Sequence, residues 1–376
     1  MNVVAEGQGV DADEPAAPRS RERVIVHRDP FAYCSHPSIL ALANGEWLIA
    51  FMESMRRGEV LHSPSDPRFY NVLTRSSDLG RSWSAPAVIP GYDWYGVECP
   101  SLTRLASGDL LLFQWRWRWA PWPSGAGERA PGRYERGGYP WARGNDGAFV
   151  HRSRDGGLTW ELSERIDTDP FPGAYTMRAA VELADGTLLL AVTDIPEWSR
   201  IYLLQSSDGG ESWAVGALVA EEADLQFSEP CIAQAGSRLV ILIREERTGF
   251  IHQSDSWDDG RSWTSPRPTP MWGCPPHLLA LGDGRLLCTY GYRRAPFGVR
   301  ACLSHDGGET WEIGNEIVLR DDLGNANLGY PSSVMAGPGK VFTTYYAEDE
   351  EAVTGIEGMF WEIQATETRR PQAGRP

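Results

Sequence analysis

SSDLGRSW (Ser76–Trp83), SRDGGLTW (Ser153–Trp160), SSDGGESW (Ser206–Trp213), SWDDGRSW (Ser256–Trp263) and SHDGGETW (Ser304–Trp311) are five copies of one pattern, Ser-x-Asp-x-Gly-x-Ser/Thr-Trp. The copies start 77, 53, 50 and 48 residues apart. Recurrence at such a period is the mark of a repeat architecture. Within each copy Asp and Gly permit a tight hairpin, and the Asp and Ser/Thr side chains bond the turn backbone. The Trp is expected to pack at the hairpin base, so the boxes are read as structural staples rather than catalytic groups.

Outward from the boxes lies a second repeat. HPSILALANGEWLIAF (His36–Phe51), CPSLTRLASGDLLLFQ (Cys99–Gln114), MRAAVELADGTLLLAV (Met177–Val192), EPCIAQAGSRLVILI (Glu229–Ile243), PPHLLALGDGRLLCTY (Pro275–Tyr290) and YPSSVMAGPGKVFTTYY (Tyr330–Tyr346) each read as apolar strand, turn and apolar strand. Pro is the second residue in five of the six, and Arg178 takes its place in the third. Six hairpins, each followed by a third strand and in five cases a box, predict an all-β fold. It is a six-bladed β-propeller of four-stranded antiparallel blades. The sixth blade has no box, and Val24–His27 is expected to supply its outer strand and close the ring. The longest interval between boxes reflects an insertion at about 114–147, too rich in Gly, Pro and Arg for a seventh blade. The expected organisation is a disordered leader over 1–22, the propeller over 23–365 and a tail over 366–376.

Blade geometry converts this pattern into a list of residues at one end of the channel. The start of the innermost strand, the end of the second and the start of the third share one face. The boxes lie on the other. Innermost-strand starts place Ser35, His36, Glu98, Cys99, Arg178, Glu229, His277 and Tyr330 at the mouth. Second-strand ends and the following loops add Glu53, Asp194, Arg244, Tyr290, Glu348, Arg56, Arg57, His62, Asp66, Arg293 and Arg294, and Arg300 opens a third strand. The insertion begins QWRWRWAPW (Gln114–Trp122), where aromatic rings alternate with guanidinium groups. Trp115 and its neighbours read either as a sugar-stacking lip or as a plain strand with one buried Trp face.

The formal net charge is 35 − 51 = −16, which disfavours nucleic acid and anionic membranes as partners. A small-molecule or glycan substrate is expected instead. No apolar run is long enough for a transmembrane helix, and Met1–Arg23 lacks the apolar core of a signal peptide. The six cysteines form no CxxC pair and no disulfide framework, so a reduced, cytoplasmic protein is expected. Cys34, Cys99, Cys231 and Cys274 fall near innermost-strand starts and are read as small thiols filling crowded positions, in preference to a thiolate metal site. No motif demands a metal or a cofactor.

With these motifs in hand, the chain resembles the sialidase (neuraminidase) superfamily of Asp-box, or BNR-repeat, propellers over about Arg28 to Ile363. Glu229-Pro230 at a blade start and Arg244 at the end of the following strand match that pattern. Tyr330-Pro331-Ser332-Ser333 resembles the Tyr-Ser-Ser start of the last blade, and Arg300 in GVRACLSHDGG fits the Arg before the fifth box. The resemblance implies Tyr330 as nucleophile, Glu229 as its base, and Arg244 with Arg300 clamping a substrate carboxylate. A neutral phenol suits an anionic sugar because it avoids pushing a carboxylate against it. Sialidases begin the first blade with Arg-Ile-Pro, where this chain has Ser35-His36-Pro37. The arginine triad is thus incomplete, and His36 is a shorter, titratable donor. The general acid is expected from His36 or from the loop carrying Glu59, His62 and Asp66. Arg178, Glu98, Arg294, His277, Trp115 and Tyr290 complete the expected substrate-binding set.

The expected activity is exo-glycosidic hydrolysis of a sialic-acid-like or other acidic sugar. The alternatives are a different reaction in the same pocket, as in a uronic-acid lyase or a small-molecule tailoring enzyme, and a non-catalytic propeller that binds glycans or proteins.

Overall fold

The computed structural model describes residues 21–56, 68–90, 96–121, 134–135, 141–195 and 197–363. They form six antiparallel sheets, four of four strands and two of five, with one short 3-10 turn at Ile313–Asn315. The sheets are the blades of a six-bladed propeller. The first runs outward through Ala32–Ala41, Trp47–Met55, Tyr70–Ser76 and Ala87–Val88. The sixth runs through Leu328–Gly337, Lys340–Glu348 and Thr354–Glu362, and its outermost strand is Arg21–Arg28 from the other end of the chain. That strand pairs antiparallel with the third, Arg21 opposite Trp361 and Arg28 opposite Gly355, so the ring closes. Among the described residues the insertion adds no blade. It lengthens the second and third strands of blade two, Leu110–Pro121 and Trp141–Ser153, with Tyr134–Glu135 paired alongside.

The boxes hold as drawn from sequence and do more. In the first, Asp78 accepts from the backbone N–H of Ser82 at 2.9 Å and from its hydroxyl at 2.5 Å, while Gly80 N–H donates to Ser76 Oγ at 2.8 Å. Each box also ties its blade to the preceding one. The Trp213 ring meets Phe113 of blade two edge-on at 5.3 Å, and Trp311 Nε1 donates to Gln253 of blade four at 2.7 Å. Arg75 and Arg152 donate to the carbonyls of Gly156 and Gly209 in the next blade's box at 2.8 and 2.6 Å.

Around the channel the second repeat proves to be a second staple. Proline has no N–H for the ladder. Where it follows a mouth residue the register slips, between Ser35 and Ser38, Glu98 and Ser101, Ser228 and Cys231, and Gly329 and Ser332. At each slip the residue before Pro is left-handed, with φ of 55° at His36, 45° at Cys99, 46° at Glu229 and 52° at Tyr330. Bulges of this kind re-aim a side chain. The residue after Pro then secures the next blade. Ser38 Oγ accepts from Leu102 N–H at 3.2 Å, Cys231 Sγ from Leu278 N–H at 3.1 Å and Ser332 Oγ from Ile39 N–H at 3.2 Å, while Ser101 donates to the Arg178 carbonyl at 2.5 Å.

Blade three, which lacks the Pro, contributes a crossbar. The buried Arg178 side chain reaches over the axis, donating through Nε to Pro276 O of blade five and through Nη1 to Pro331 O of blade six, both at 2.9 Å.

Two measurable consequences follow from these staples. Hydrogen bonds from the Ser and Thr side chains and the turn N–H groups hold Asp78, Asp155 and Asp258 down at about 2, and Asp208 lower still. Unfolded aspartates titrate near 3.9. A depressed folded pKa contributes stability that is present above about pH 4 and lost as pH falls toward about 2. Melting temperature is therefore expected to drop steeply in that window, and less steeply in a variant with two boxes changed Asp→Asn. Arg178→Met strips two buried carbonyls of their donor and is expected to cost about 2–4 kcal/mol in urea unfolding. The exposed Arg294→Met change should stay within about 0.5 kcal/mol.

Candidate active site

Two bulges facing one another across the channel make the centre of the site. Glu229 and Tyr330 each sit in the left-handed position of their innermost strand, and both side chains are buried. Tyr330 Oη donates to Glu229 Oε1 at 2.8 Å. The other carboxylate oxygen accepts from Arg244 Nη1 at 2.7 Å. Arg244, from the second strand of blade four, is held in turn by Glu246 at 2.8 Å. Glu229's own N–H donates to Thr193 Oγ1 of blade three at 3.0 Å, which fixes the bulge against its neighbour.

A second guanidinium converges on the phenol. Arg293 lies 5.4 Å from the Tyr330 ring centroid and is braced by Nε and Nη2 donating to the Leu328 carbonyl at 3.1 and 2.9 Å. From the other side His36 packs against Tyr330, with ring centroids 3.8 Å apart, and stacks on Tyr346 at 5.8 Å and 15°. Its Nδ1 lies 2.7 Å from Ser35 Oγ. Tyr175, whose hydroxyl is 2.9 Å from Cys99 Sγ, extends the aromatic lining toward Trp198, 4.9 Å away.

The electrostatics follow from burial and pairing. Burial, then the Glu229 charge, pushes the Tyr330 phenol well above the usual range, against the pull of Arg244 and Arg293. Burial also presses on Glu229, but the Arg244 charge and the hydrogen bonds from Arg244 and Tyr330 outweigh it and leave the carboxyl below its ordinary value. At neutral pH the pair is therefore a neutral phenol donating to an ionised carboxylate. His277 is pushed well below the usual imidazole range by burial and by Arg178, so it is neutral there.

The sequence list divides accordingly. Tyr330, Glu229, Arg244 and His36 come together. Glu98 is buried with its charge felt by Cys99 and Tyr175 beside this centre. Arg178 and His277 lie at the channel axis, where Arg178 spends two guanidinium nitrogens on backbone carbonyls rather than presenting them to a ligand. Arg300 is not part of the cluster. It donates to Arg320 O and Pro296 O, lies 3.7 Å from Glu316 and packs on Tyr292. Tyr290, its ladder partner, also turns to Glu316, with an oxygen separation of 2.5 Å. Arg294 lies exposed at the rim over Trp272, 3.5 Å from the ring centroid. Trp115 and Trp117 turn into the core, so the plain-strand reading of WRWRW holds for them. Asp66, with Arg57, Glu59 and His62, lies outside the described residues.

Arg293, Tyr346 and Tyr175 are the residues that sequence reasoning passed over as site groups. Arg293 stood on the mouth list as a loop residue, and only its packing against Tyr330 distinguishes it from Arg294.

Comparison with known proteins agrees with this picture. The model of the BNR repeat-like domain matches residues 100–343. A sialidase of Bacteroides fragilis (strain YCH46) is 24% identical over 291 residues, 69% of this chain and 50% of that protein, so the chain spans half the length of that relative. Among solved structures, a protein of unknown function from Dyadobacter fermentans DSM 18053 superposes with a TM-score of 0.81 at 29% identity, covering 91% of this chain and 98% of its own. A point mutant of the NanB sialidase from Streptococcus pneumoniae gives 0.67 at 12% identity, with 90% and 70% covered, a likeness of fold. With the family model spanning well over half its length, and the repeats folded as six blades, the chain belongs to the BNR repeat-like domain family of sialidase-like propellers.

Proposed function

We propose that this protein is an exo-glycosidase acting on a sialic-acid-like or other acidic sugar, with Tyr330 as nucleophile and Glu229 as its base. The observation that carries the reading is the hydrogen bond of 2.8 Å from the buried phenol to the buried carboxylate, with Arg244 on the carboxylate's second oxygen. A phenol this far above its usual range does not lose its proton to a depressed carboxyl in the resting state. The transfer becomes favourable only as the phenolic oxygen bonds to carbon.

Tyr330 Oη forms a bond to the anomeric carbon as the bond from that carbon to the leaving oxygen breaks. The phenolic proton passes to Glu229 Oε1, and the leaving oxygen takes a proton from the acid, His36 or Asp66. Water then attacks the glycosyl-tyrosine intermediate and gives a proton to the deprotonated His36 or Asp66, the bond from the anomeric carbon to Tyr330 Oη breaks, and Glu229 returns its proton to the departing phenolate. Arg244 and Arg293 bind the sugar's carboxylate, with the Arg293 assignment replacing Arg300.

One observation favours a second reading. Ser35 stands where the resemblance calls for an arginine, and the neighbouring His36 packs directly against Tyr330. In an elimination on a uronic acid, His36 takes the proton α to the carboxylate, the bond to the leaving oxygen breaks, a C=C bond forms and Tyr330 protonates the leaving group. The same two arginines neutralise the carboxylate.

Hydrolysis of a fluorogenic acidic glycoside should fall by about a hundredfold or more in Tyr330→Phe and in Glu229→Gln. Undiminished turnover in Tyr330→Phe overturns the mechanism. A product absorbing in the near ultraviolet, without free reducing sugar from water addition, marks elimination instead. Arg293→Gln should raise KM for the acidic substrate, whereas Arg300→Gln should not. Removing Arg244's charge lets the Glu229 pKa rise. The acid limb of kcat/KM should therefore move to higher pH in Arg244→Gln, measured on the residual activity.

A further inference from the structure

We propose that His27, Cys34 and Glu53 form a three-ligand site for a zinc-class transition metal at the seam between blades one and six. The three come from three strands. His27 lies on the closing strand Arg21–Arg28, Cys34 on the innermost strand of blade one and Glu53 on its second. Cys34 and Glu53 are direct partners in the ladder, and Glu53 is in turn the partner of Tyr70 on the third strand. The row therefore presents Cys34, Glu53 and Tyr70 on the face of blade one that meets His27.

The donor geometry is that of a coordination polyhedron. His27 Nε2 lies 3.2 Å from Glu53 Oε2, Cys34 Sγ lies 3.8 Å from the same oxygen, and all three donor atoms fall within 4.8 Å of one another. Zinc bonds of about 2.0–2.1 Å to His nitrogen, 2.3 Å to thiolate and 2.0–2.2 Å to carboxylate give tetrahedral edges of roughly 3.3–3.6 Å. The two edges at Glu53 Oε2 bracket those values and the third stays within 4.8 Å, so side-chain shifts bring the three donors around one ion. Among the described residues no other trio of His, Cys, Asp or Glu is gathered this closely.

The chemistry of the set selects the ion. One imidazole nitrogen, one thiolate and one carboxylate suit zinc and its neighbours, and do not suit calcium or magnesium, which take oxygen. On binding, the thiol releases its proton to solvent, and thiolate and carboxylate together neutralise a divalent charge. The surroundings match a supporting shell. Tyr70 donates to Glu53 Oε1, which leaves Oε2 for the ion. Cys34's own N–H donates to Thr354 Oγ1 at 2.8 Å, and the His27 ring packs against Phe51 at 5.4 Å. The fourth position falls to water, because the side chains of His27 and Glu53 keep 17% and 14% of their exposure while Cys34 has none. The site is independent of the proposed glycosidase chemistry, although Cys34 precedes His36 by two residues on one strand.

Cobalt is the probe. The purified full chain, stripped with chelator and kept reduced, is titrated with Co²⁺ alone. The expected result is a thiolate-to-cobalt charge-transfer band in the near ultraviolet that saturates at about one equivalent and is abolished by one equivalent of Zn²⁺. The band should be absent in Cys34→Ser and present in Cys302→Ser, with far-ultraviolet circular dichroism showing both variants folded. Melting temperature should rise with Zn²⁺ in the wild type and be flat in Glu53→Gln. Absence of the band from the wild type overturns the site whether or not the variants fold. So does a band that survives in folded Cys34→Ser, which assigns the metal to another thiol.

Discussion

Everything at the mouth depends on a proline that cannot complete a ladder. In four blades the innermost strand begins with a mouth residue, a Pro and then Ser or Cys. The missing N–H breaks the register, and the break leaves the residue before Pro left-handed. A non-glycine residue held there costs about 1–3 kcal/mol, and the neighbouring structure must outweigh it. Here the compensation is visible two residues later, where the Ser or Cys bonds the backbone of the next blade. The device that strains each strand also joins it to its neighbour. Its product is four side chains, His36, Cys99, Glu229 and Tyr330, aimed inward from four directions. Closure by Arg21–Arg28 keeps those directions fixed, because an open ring would let blades one and six part.

The electrostatics of the centre follow from this enclosure. A carboxylate buried as deeply as Glu229 is tolerable only because a guanidinium and a phenol both donate to it. The pairing sets its charge, and burial sets the phenol's neutrality. The chain carries a net charge of −16, yet Arg178, Arg244 and Arg293 surround the Tyr330–Glu229 pair. On the proposed reading, a local cationic focus inside an acidic chain suits a small anion better than a large polyanion.

Much of this was legible in the sequence. Five boxes and six hairpins determine the blade count, and strand direction within a blade determines which ends share a face. Tyr330, Glu229 and Arg244 follow from that logic together with the family resemblance. Errors arose where alternation and loop geometry decide. Arg300 and Tyr290 are ladder partners, so their side chains share one sheet face, and that face looks to Glu316 rather than to the channel. Arg293 and Arg294 lie past the strand end, where no period says which of the two turns inward. Arg178 was placed at the right end of the right strand, but its reach across the axis to two prolyl carbonyls depends on blades far away in sequence. The seam cluster was invisible for the same reason. His27 and Cys34 are close in the chain, but Glu53 joins them only through register, and the facing of the two blades only through ring closure.

Ser35-His36-Pro37, where the resemblance calls for Arg-Ile-Pro, is the departure that most constrains the proposed chemistry. The His36 imidazole packs tilted against the Tyr330 ring, with centroids 3.8 Å apart, while Tyr346 stacks on it and Ser35 Oγ lies 2.7 Å from its Nδ1. Cationic groups therefore approach the phenol from the side of Arg244 and Arg293, while an imidazole approaches from blade one. A carboxylate bound to those two arginines is gripped from one side, and the opposite side gains a group that can move a proton. On the proposed reading the pocket lacks part of an anion clamp and has an acid–base partner beside Tyr330. Under the proposed mechanism, substrate orientation would then rest on two arginines, and the protonation state of the blade-one wall would become part of the reaction.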